Sequence, residues 1–405
     1  MVAYNQAKAL ADHAEVTLVT QVRNRPAIER IGGAGKAKVV YLDTEYVAAP
    51  IHRLTNFIRG AGEHAQTAII VTLWPSQVAF EWEAWKLFKN ELRAGAFDVV
   101  QRLTPMSPTL PSPLARWSPV PFVLGPLNGA LAWPPGFQNE LHREREYLSY
   151  LRGVYKFLPL YRSTYANSRC ILAAFQHTID DLPKSARDRT IDFPEVGIDP
   201  DVFSSPAERP ERERLTFLFA GRLVPYKCAD VALEAFAGSP ELRRHRLVLV
   251  GEGPERERLE AYVAAEKLEG TVEILGKRPQ SEVGQLMGEA DVFVFPSVRE
   301  LGAGVVVEAM ACGCVPVAVN YGGPATLISD DTGRRIPLGG KPELVTSFRR
   351  ELELLAADRP LIRRMSRAAR ERALTRYSWD VKARKLLEVY DWVTGRRADR
   401  PGFYA

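Results

Sequence analysis

The residues best placed to do chemistry lie in the stretch ELGAGVVVEAMACG, 300–313, in which seven residues separate Glu300 from Glu308. Gly302, Ala303 and Gly304 are small and open a helical run, 305–312, that Gly313 ends. Free backbone N–H groups at such a helix start, with no bulky side chain over them, can hold a phosphate. Glu308 lies one turn in and can reach a ribose hydroxyl, as acidic residues do in other nucleotide folds. Glu300, in the loop before the helix, would face the rest of such a ligand. The plainer alternative is a Gly-rich turn carrying two solvated carboxylates, and the stretch taken alone does not choose between them.

A second constellation is GRLVPYK, 221–227, which follows the apolar run LTFLFA. Gly221 permits close backbone approach, Arg222 supplies a bidentate fork and Lys227 a point charge for phosphate oxygens. A solvated loop is the competing reading of this segment. The third piece is GEGPE, 251–255, where Pro254 suits the first turn of a helix. A lone glycine loop of this kind is weak evidence, and GGAG at 32–35 is weaker still, because it precedes a strand instead of following one.

Short apolar strands alternate with helical stretches along almost the whole chain, the pattern of doubly wound α/β domains with parallel sheets. The first half reads as strands near 16–20, 38–42, 97–103 and 120–124, with weaker candidates at 68–73 and 165–172. The second half is cleaner, with strands at 215–220, 246–250, 272–275, 291–295 and 315–319, each before a turn and a helical segment. Residues 204–214, SSPAERPERER, are polar and Pro-containing and read as a linker. The expected architecture is two Rossmann-like domains, with ligands outside the carboxyl ends of the strands, in the crevice between the domains. The proline-dense region 105–137 brackets an apolar strand and reads as rigid loops on the rim of the first domain.

The chain has 405 residues, 46% of them hydrophobic and 25% charged, which excludes disorder, collagen and coiled coil. Its formal charge of +5 is spread evenly, whereas a nucleic-acid domain would be lopsided. Cys170, Cys228, Cys312 and Cys314 are few and scattered, as in a reducing cytoplasm, and Cys312 and Cys314 read as core residues. No apolar run reaches the ~20 residues of a membrane span, and the first residues lack the basic and apolar regions of a secretory leader. The stretch 80–93, FEWEAWKLFKNELR, interleaves Trp82, Trp85, Leu87 and Phe88 with Lys86, Lys89 and Arg93. It reads as an amphipathic surface helix packed on a sheet, with a peripheral membrane contact as the alternative.

Three phosphate-type loops in one domain, each after a strand and in this order, resemble the donor domain of the retaining GT-B glycosyltransferases of family 4, group 1. The motifs are GRLVPYKCAD (221–230), LVLVGEGPERERL (247–259), ILGKRP (274–279), ADVFVFPS (290–297), EAMACGCVPV (308–317) after Glu300, and YGGP (321–324). Weaker echoes are FPEVGIDPDVF (193–203), in the place of the pre-linker segment, and YSWDVKARKLLEVYDWV (377–393), which looks like a terminal helix that crosses back onto the first domain. The resemblance covers the second half strongly and the first half thinly. It implies an α/β GT-B fold, two Rossmann-like doubly wound domains facing across a cleft: 1–203 on the acceptor side, linker 204–214, donor domain 215–376, and crossing helix and tail 377–405.

By the same resemblance Arg222 and Lys227 neutralise a donor diphosphate, Glu308 holds the ribose, Glu300 contacts the donor sugar and the backbone around Arg278 abuts the base. Gly221, Gly251, Gly302, Ala303, Gly304 and Val305 complete the donor site, and Asn128 and Gly129 stand on the acceptor side. The substrate is a nucleotide sugar, the acceptor a glycan, a glycolipid or a small molecule, and no cofactor, metal or nucleic-acid partner is implied. The place of work is the cytoplasm, with its membrane face open. Two cations and a helix start would replace a metal in stabilising the leaving group.

The sequence departs from the family pattern in three places. After Glu300 the usual Gly-Phe-Gly-Leu run is Leu301, Gly302, Ala303, Gly304. Where many members carry a histidine after a first-domain strand, this chain has GPLNGA, and Asn128 can orient a hydroxyl but cannot act as a base. The chain also opens in a helix, 3–13, where the fold begins with a strand and a Gly-rich turn, so an upstream βα opening is expected. Two other function classes remain in view, a nucleotide-sugar-binding protein without catalysis and an epimerase on the same fold, the latter needing cleft acids and bases that the first half scarcely offers.

Overall fold

The computed structural model describes residues 2–51, 66–138, 140, 154–204 and 212–404. The chain forms two compact units, one of Met1–Ala130, Arg145–Glu195 and Trp379–Ala405, the other of Leu131–Glu144 and Val196–Ser378.

In the first unit β1 (Thr17–Gln21) and β2 (Lys38–Leu42) pair in parallel, and β3 (Val100–Arg102), β4 (Phe122–Leu127), β5 (Cys170–Ala173) and β6 (Thr190–Asp192) form a parallel sheet in that order. Every residue of β4 and β5 is buried, so these strands carry apolar side chains on both faces. Phe122, Leu124, Leu127, Tyr161, Tyr165 and Ile171 form the core of this sheet. Among the described residues β1 and β2 pair with no strand of the larger sheet. The opening helix Val2–Leu10 packs against the helix Trp379–Val393, which belongs to this unit although it ends the chain.

Several first-half expectations change. The candidate strand 68–73, AIIVTL, lies inside the long helix Gln66–Arg93 and is not a strand. A short β-branched run has the same apolar signature in a strand and in a helix, and here the helix-forming residues that follow set its state. Of the 165–172 candidate only 170–172 is extended, in the strand Cys170–Ala173, and 165–167 close the helix Tyr161–Asn167. The aromatic stripe of 80–93 is partly a packing surface: Trp82 and Trp85 both meet the Trp117 ring, while Trp82 and Leu87 are about half exposed. No described helix is long and apolar enough to cross a membrane.

The second unit holds β7 (Thr216–Ala220), β8 (Arg246–Val250), β9 (Val272–Gly276), β10 (Val292–Phe295), β11 (Val315–Val319) and β12 (Arg334–Ile336). All pairs are parallel and the order is β9-β8-β7-β10-β11-β12. Numbered from β7, this is the 3-2-1-4-5-6 order of a dinucleotide-binding fold, whose switch point lies between β7 and β10. The helix Arg359–Tyr377 buries Ile362, Met365, Ala369, Ala373 and Tyr377, one side of a 3.6-residue period, and packs on the helix Gly304–Ala311.

The units divide the chain differently from the sequence reading in two places. The boundary falls at 195/196 instead of within 204–214, of which 205–211 lie outside the described residues. Residues 196–203 stay with the second unit, where the Ile198 amide donates to the Tyr377 carbonyl at 2.9 Å. Residues 131–137, read as part of the first-domain rim loops, fall in the second unit, where Leu131, Ala132 and Trp133 make contacts. The Tyr321 hydroxyl donates to the Ala132 carbonyl at 2.9 Å, and Arg299 lies over the Trp133 ring at 5.0 Å.

Candidate functional site

The loops that leave the carboxyl ends of β7 and β10 flank the switch point of the six-stranded sheet, where connections depart in opposite directions and leave a crevice. After β7 the chain runs through Gly221 and Arg222 into a short turn, Pro225–Lys227, and then the helix Ala229–Ala237. After β10 it runs through Ser297 and Glu300 into the helix Gly304–Ala311. The Val298 amide donates to the Tyr226 carbonyl at 3.0 Å and ties the two loops together.

Lys227 and Glu300 meet in this crevice. Lys227 Nζ lies 2.5 Å from Glu300 Oε1, and the Ser297 hydroxyl donates to the same oxygen at 2.5 Å. The two side chains are only 12% and 11% exposed, and the ammonium sits 4.8 Å from the centre of the Phe295 ring. A pair this far from bulk water is weakly screened, so a ligand phosphate reaching Lys227 must compete with Glu300 directly. Arg222, the other expected cation, is exposed.

The glycine loop after β8 serves chiefly to let two backbones touch. A Cβ on Gly251 would lie 1.8 Å from the Gly221 carbonyl oxygen, and one on Gly253 would lie 2.2 Å from that of Leu223. Both have positive φ, +153° and +159°. The Gly221 amide donates to Val250 and the Leu223 amide to Glu252, each at 2.9 Å. Gly251 thus fixes the path of the Gly221–Lys227 loop.

Ala303 adopts the left-handed conformation at φ 54° immediately before the helix Gly304–Ala311, the turn that aims the first amides of that helix. Gly302, Ala303, Gly304 and Val305 therefore form the helix start, with only small side chains ahead of Val305. The glycines of YGGP press on this loop: the Gly323 amide donates to the Glu300 carbonyl at 2.9 Å, and a Cβ on Gly322 would fall 2.1 Å from the same oxygen. Glu308 is half-buried; burial pushes its carboxyl up to about 7, and a hydrogen bond with Gln280 partly offsets this. Gln280 opens the helix Gln280–Glu289, two residues after the exposed Arg278, which pairs at 3.7 Å with Glu282. The expected base-side and ribose-side residues are thereby linked.

Asn128 and Gly129 follow β4 in the first unit. The Asn128 side-chain amide donates to the Glu195 carboxylate, and Gly129 exchanges hydrogen bonds with the Thr178 hydroxyl at 3.0 and 3.1 Å. Sequence reading singled out none of Ser297, Gln280, Glu195 and Trp133. Ser297 and Gln280 sit in or beside recognised motifs and were legible by position, whereas Glu195 and Trp133 acquire roles only through contacts distant in sequence.

The strand order defines the second unit as a Rossmann-like domain, and the fold is that of the GT-B glycosyltransferases. The structure matches that of HepE from Anabaena, solved in complex with UDP and glucose, with a TM-score of 0.60 at 16% identity, covering 96% of this chain and 94% of that one. Residues 203–372 match the family model of the glycosyl transferases group 1. The chain is 33% identical over 222 residues to a D-inositol 3-phosphate glycosyltransferase of Stackebrandtia nassauensis, covering 51% of this chain and 49% of that protein. It is 34% identical over 184 residues to a GDP-mannose-dependent alpha-mannosyltransferase of Mycobacterium tuberculosis, covering 44% and 43%. The chain spans about half the length of the curated relatives it matches.

Proposed function

We propose that this protein transfers a sugar from a nucleoside diphosphate sugar to a hydroxyl of a glycan, glycolipid or small-molecule acceptor, with retention at the anomeric carbon and without a metal. The observation that carries the reading is the placement of Lys227, Glu300 and the start of the helix Gly304–Ala311 on loops leaving one switch point. The donor diphosphate takes Lys227 from Glu300 and meets Arg222 and the amides of Gly302–Val305. Glu300, released, accepts hydrogen bonds from the sugar, and Glu308 accepts them from the ribose, with the base beside Arg278. As the bond from the anomeric carbon to the phosphate oxygen breaks, its electron pair stays on the diphosphate, where fixed positive charge stabilises it. The acceptor oxygen attacks from the same face and its proton passes to the departing phosphate oxygen, so no protein nucleophile is required.

The relatives' names motivate both uridine and guanosine donors, one being GDP-mannose-dependent and another solved with UDP and glucose. Melting shifts with UDP, GDP and ADP, followed by turnover of labelled UDP-glucose and GDP-mannose, test the proposal. A shift of several degrees with one nucleotide and release of sugar from its donor is expected. No shift with any of the three would overturn the reading, and a shift without turnover would favour a binding protein that lacks catalysis. We place the protein at the cytoplasmic side of a membrane, a reading supported by the few, scattered and buried cysteines and by the exposed Trp82 and Leu87 on one helix.

A further inference from the structure

The first unit holds a buried charged group that the donor site does not use. Lys382, on the helix Trp379–Val393, is 0% exposed. Its ammonium lies 4.5 Å from the Phe193 ring centre, 5.2 Å from that of Phe403 and 5.7 Å from that of Trp379, and it donates to the Pro194 carbonyl. The next residue, Glu195, is 6% exposed. Its Oε1 accepts from the Asn128 amide, while its Oε2 and the Asn128 Oδ1 are buried and have no hydrogen-bond partner among the described residues.

The polarity of this arrangement is forced. An ionised carboxylate can only accept, so Asn128 must turn its NH₂ toward Glu195 and its Oδ1 away. The rest of the turn is fixed: the Asn128 backbone amide donates to Met106 at 2.7 Å, and Thr178 brackets Gly129. What remains is one acceptor oxygen of defined direction, and its complement is a donor such as a hydroxyl. Without Glu195 the amide could flip and offer N–H groups, the wrong polarity for receiving a hydroxyl hydrogen.

We propose that Glu195 is a positioning residue that fixes the Asn128 amide so that Oδ1 receives a hydroxyl hydrogen of the acceptor. This rests on the reading that the Asn128–Gly129 turn meets the acceptor. The charges around Glu195 are few. Burial raises its carboxyl above the ordinary range, against its own backbone amide, Asn128 and the Lys382 charge. Burial pushes Lys382 down to about 7, against the pull of Glu195. Asp192, at the end of β6, is raised to about 6 by burial alone. Once protonated, Glu195 becomes a donor and no longer dictates which way Asn128 points.

The test is NMR of the full chain labelled with ¹⁵N-asparagine, the Asn128 side-chain signal being identified by its loss in Asn128→Asp. In the wild type that signal should move with pH as Glu195 titrates. Glu195→Gln, which keeps shape and fold, should abolish the movement, and Lys382→Met should raise its midpoint by roughly one pH unit, because a neighbouring cation favours the carboxylate. An Asn128 signal indifferent to pH, or one that titrates unchanged in Glu195→Gln, would overturn the inference. UDP and GDP melting shifts on the same samples separate the two readings. Nucleotide binding with a pH-independent Asn128 signal removes the positioning role alone, whereas a titrating signal without nucleotide binding removes the proposed function.

Discussion

Lys227 Nζ stands 2.5 Å from Glu300 Oε1, so the lysine that would neutralise a donor diphosphate and the glutamate that would touch the donor sugar hold each other. The two come from the loops after β7 and β10, on either side of the switch point. Each keeps the other charge compensated where both are nearly buried, and a phosphate that took Lys227 would exchange one ion pair for another.

The pair should therefore respond asymmetrically to mutation. Lys227→Ala leaves Glu300 nearly buried without its cation, and is expected to lower stability by about 2–4 kcal/mol and to weaken nucleoside diphosphate binding by about 1.5–3 kcal/mol. Glu300→Gln keeps an acceptor for Ser297 while releasing Lys227, so bare nucleotide should bind at least as tightly and sugar transfer should fall. Denaturant melts and titration calorimetry check both. Equal losses of nucleotide affinity in the two variants would show that Glu300 contacts the nucleotide itself.

Glu308 sets a pH dependence. Its folded pKa of about 7 lies above the ordinary carboxyl value, so the folded state binds more protons than the unfolded state between the two values. Stability from this group is full at acid pH and is lost as pH rises through 7. Glu308→Gln should then be more stable than wild type at pH 8, by about 1–2 kcal/mol after allowing for partial exposure, and the advantage should vanish near pH 4. Nucleotide affinity should run the other way, rising through pH 7 in the wild type as the carboxylate forms, with a smaller rise in the glutamine variant because only the ligand phosphate still titrates. Melting curves and calorimetry at four pH values suffice, and parallel pH profiles for the two proteins would contradict the assignment.

The second unit was largely legible from sequence because β7, β8, β10 and β11 are buried on both faces and punctuated by turn residues, whereas the short, partly exposed β12 was not read. The strings RLVLV and VPVAV coincide with β8 and β11 at both ends. The first unit was less so: TAIIVT has strand composition but sits in a helix whose following residues, through Arg93, favour that state. GEGPE was readable as a glycine loop opening a helix, but not as a close approach of its backbone to that of Gly221. Lys382, Glu195 and Asn128 were beyond reach as a group. Asn128 alone was readable as a hydroxyl-orienting residue, while Glu195 and Lys382 read as ordinary polar residues that only the folded chain brings to the same place.

Gly251 offers a test of the loop contact. Alanine there would place its Cβ 1.8 Å from the Gly221 oxygen at a φ that side chains avoid, so the variant should lose about 2–4 kcal/mol. Gly270 has a positive φ of +85° but open space around it, so Gly270→Ala should cost only about 1 kcal/mol. Comparable destabilisation in the two, read by urea melts, would mean that φ alone and not the backbone approach constrains Gly251.

Trp133 tests whether the segment 131–138 is an integral part of the second unit. Its ring meets Tyr226 edge to face at 6.4 Å and carries Arg299 at 5.0 Å, while Arg299 Nη2 donates to the Leu131 carbonyl at 3.3 Å and Leu131 is 3% exposed. Tyr226 immediately precedes Lys227, and its carbonyl anchors the loop that bears Glu300. Trp133→Ala removes an aromatic pair and a cation–π contact at once, for an expected loss of about 2–3 kcal/mol, and should also weaken nucleotide binding by loosening the turn Pro225–Lys227. Trp133→Phe keeps a ring for both partners and should recover at least half of each effect. The two readouts are a urea melt and the calorimetric affinity for whichever nucleotide shifts the melting temperature. If Trp133→Ala melts with the wild type, the segment is a passive neighbour of the site; if it loses stability but binds nucleotide normally, Tyr226 holds Lys227 in place without help from the first half of the chain.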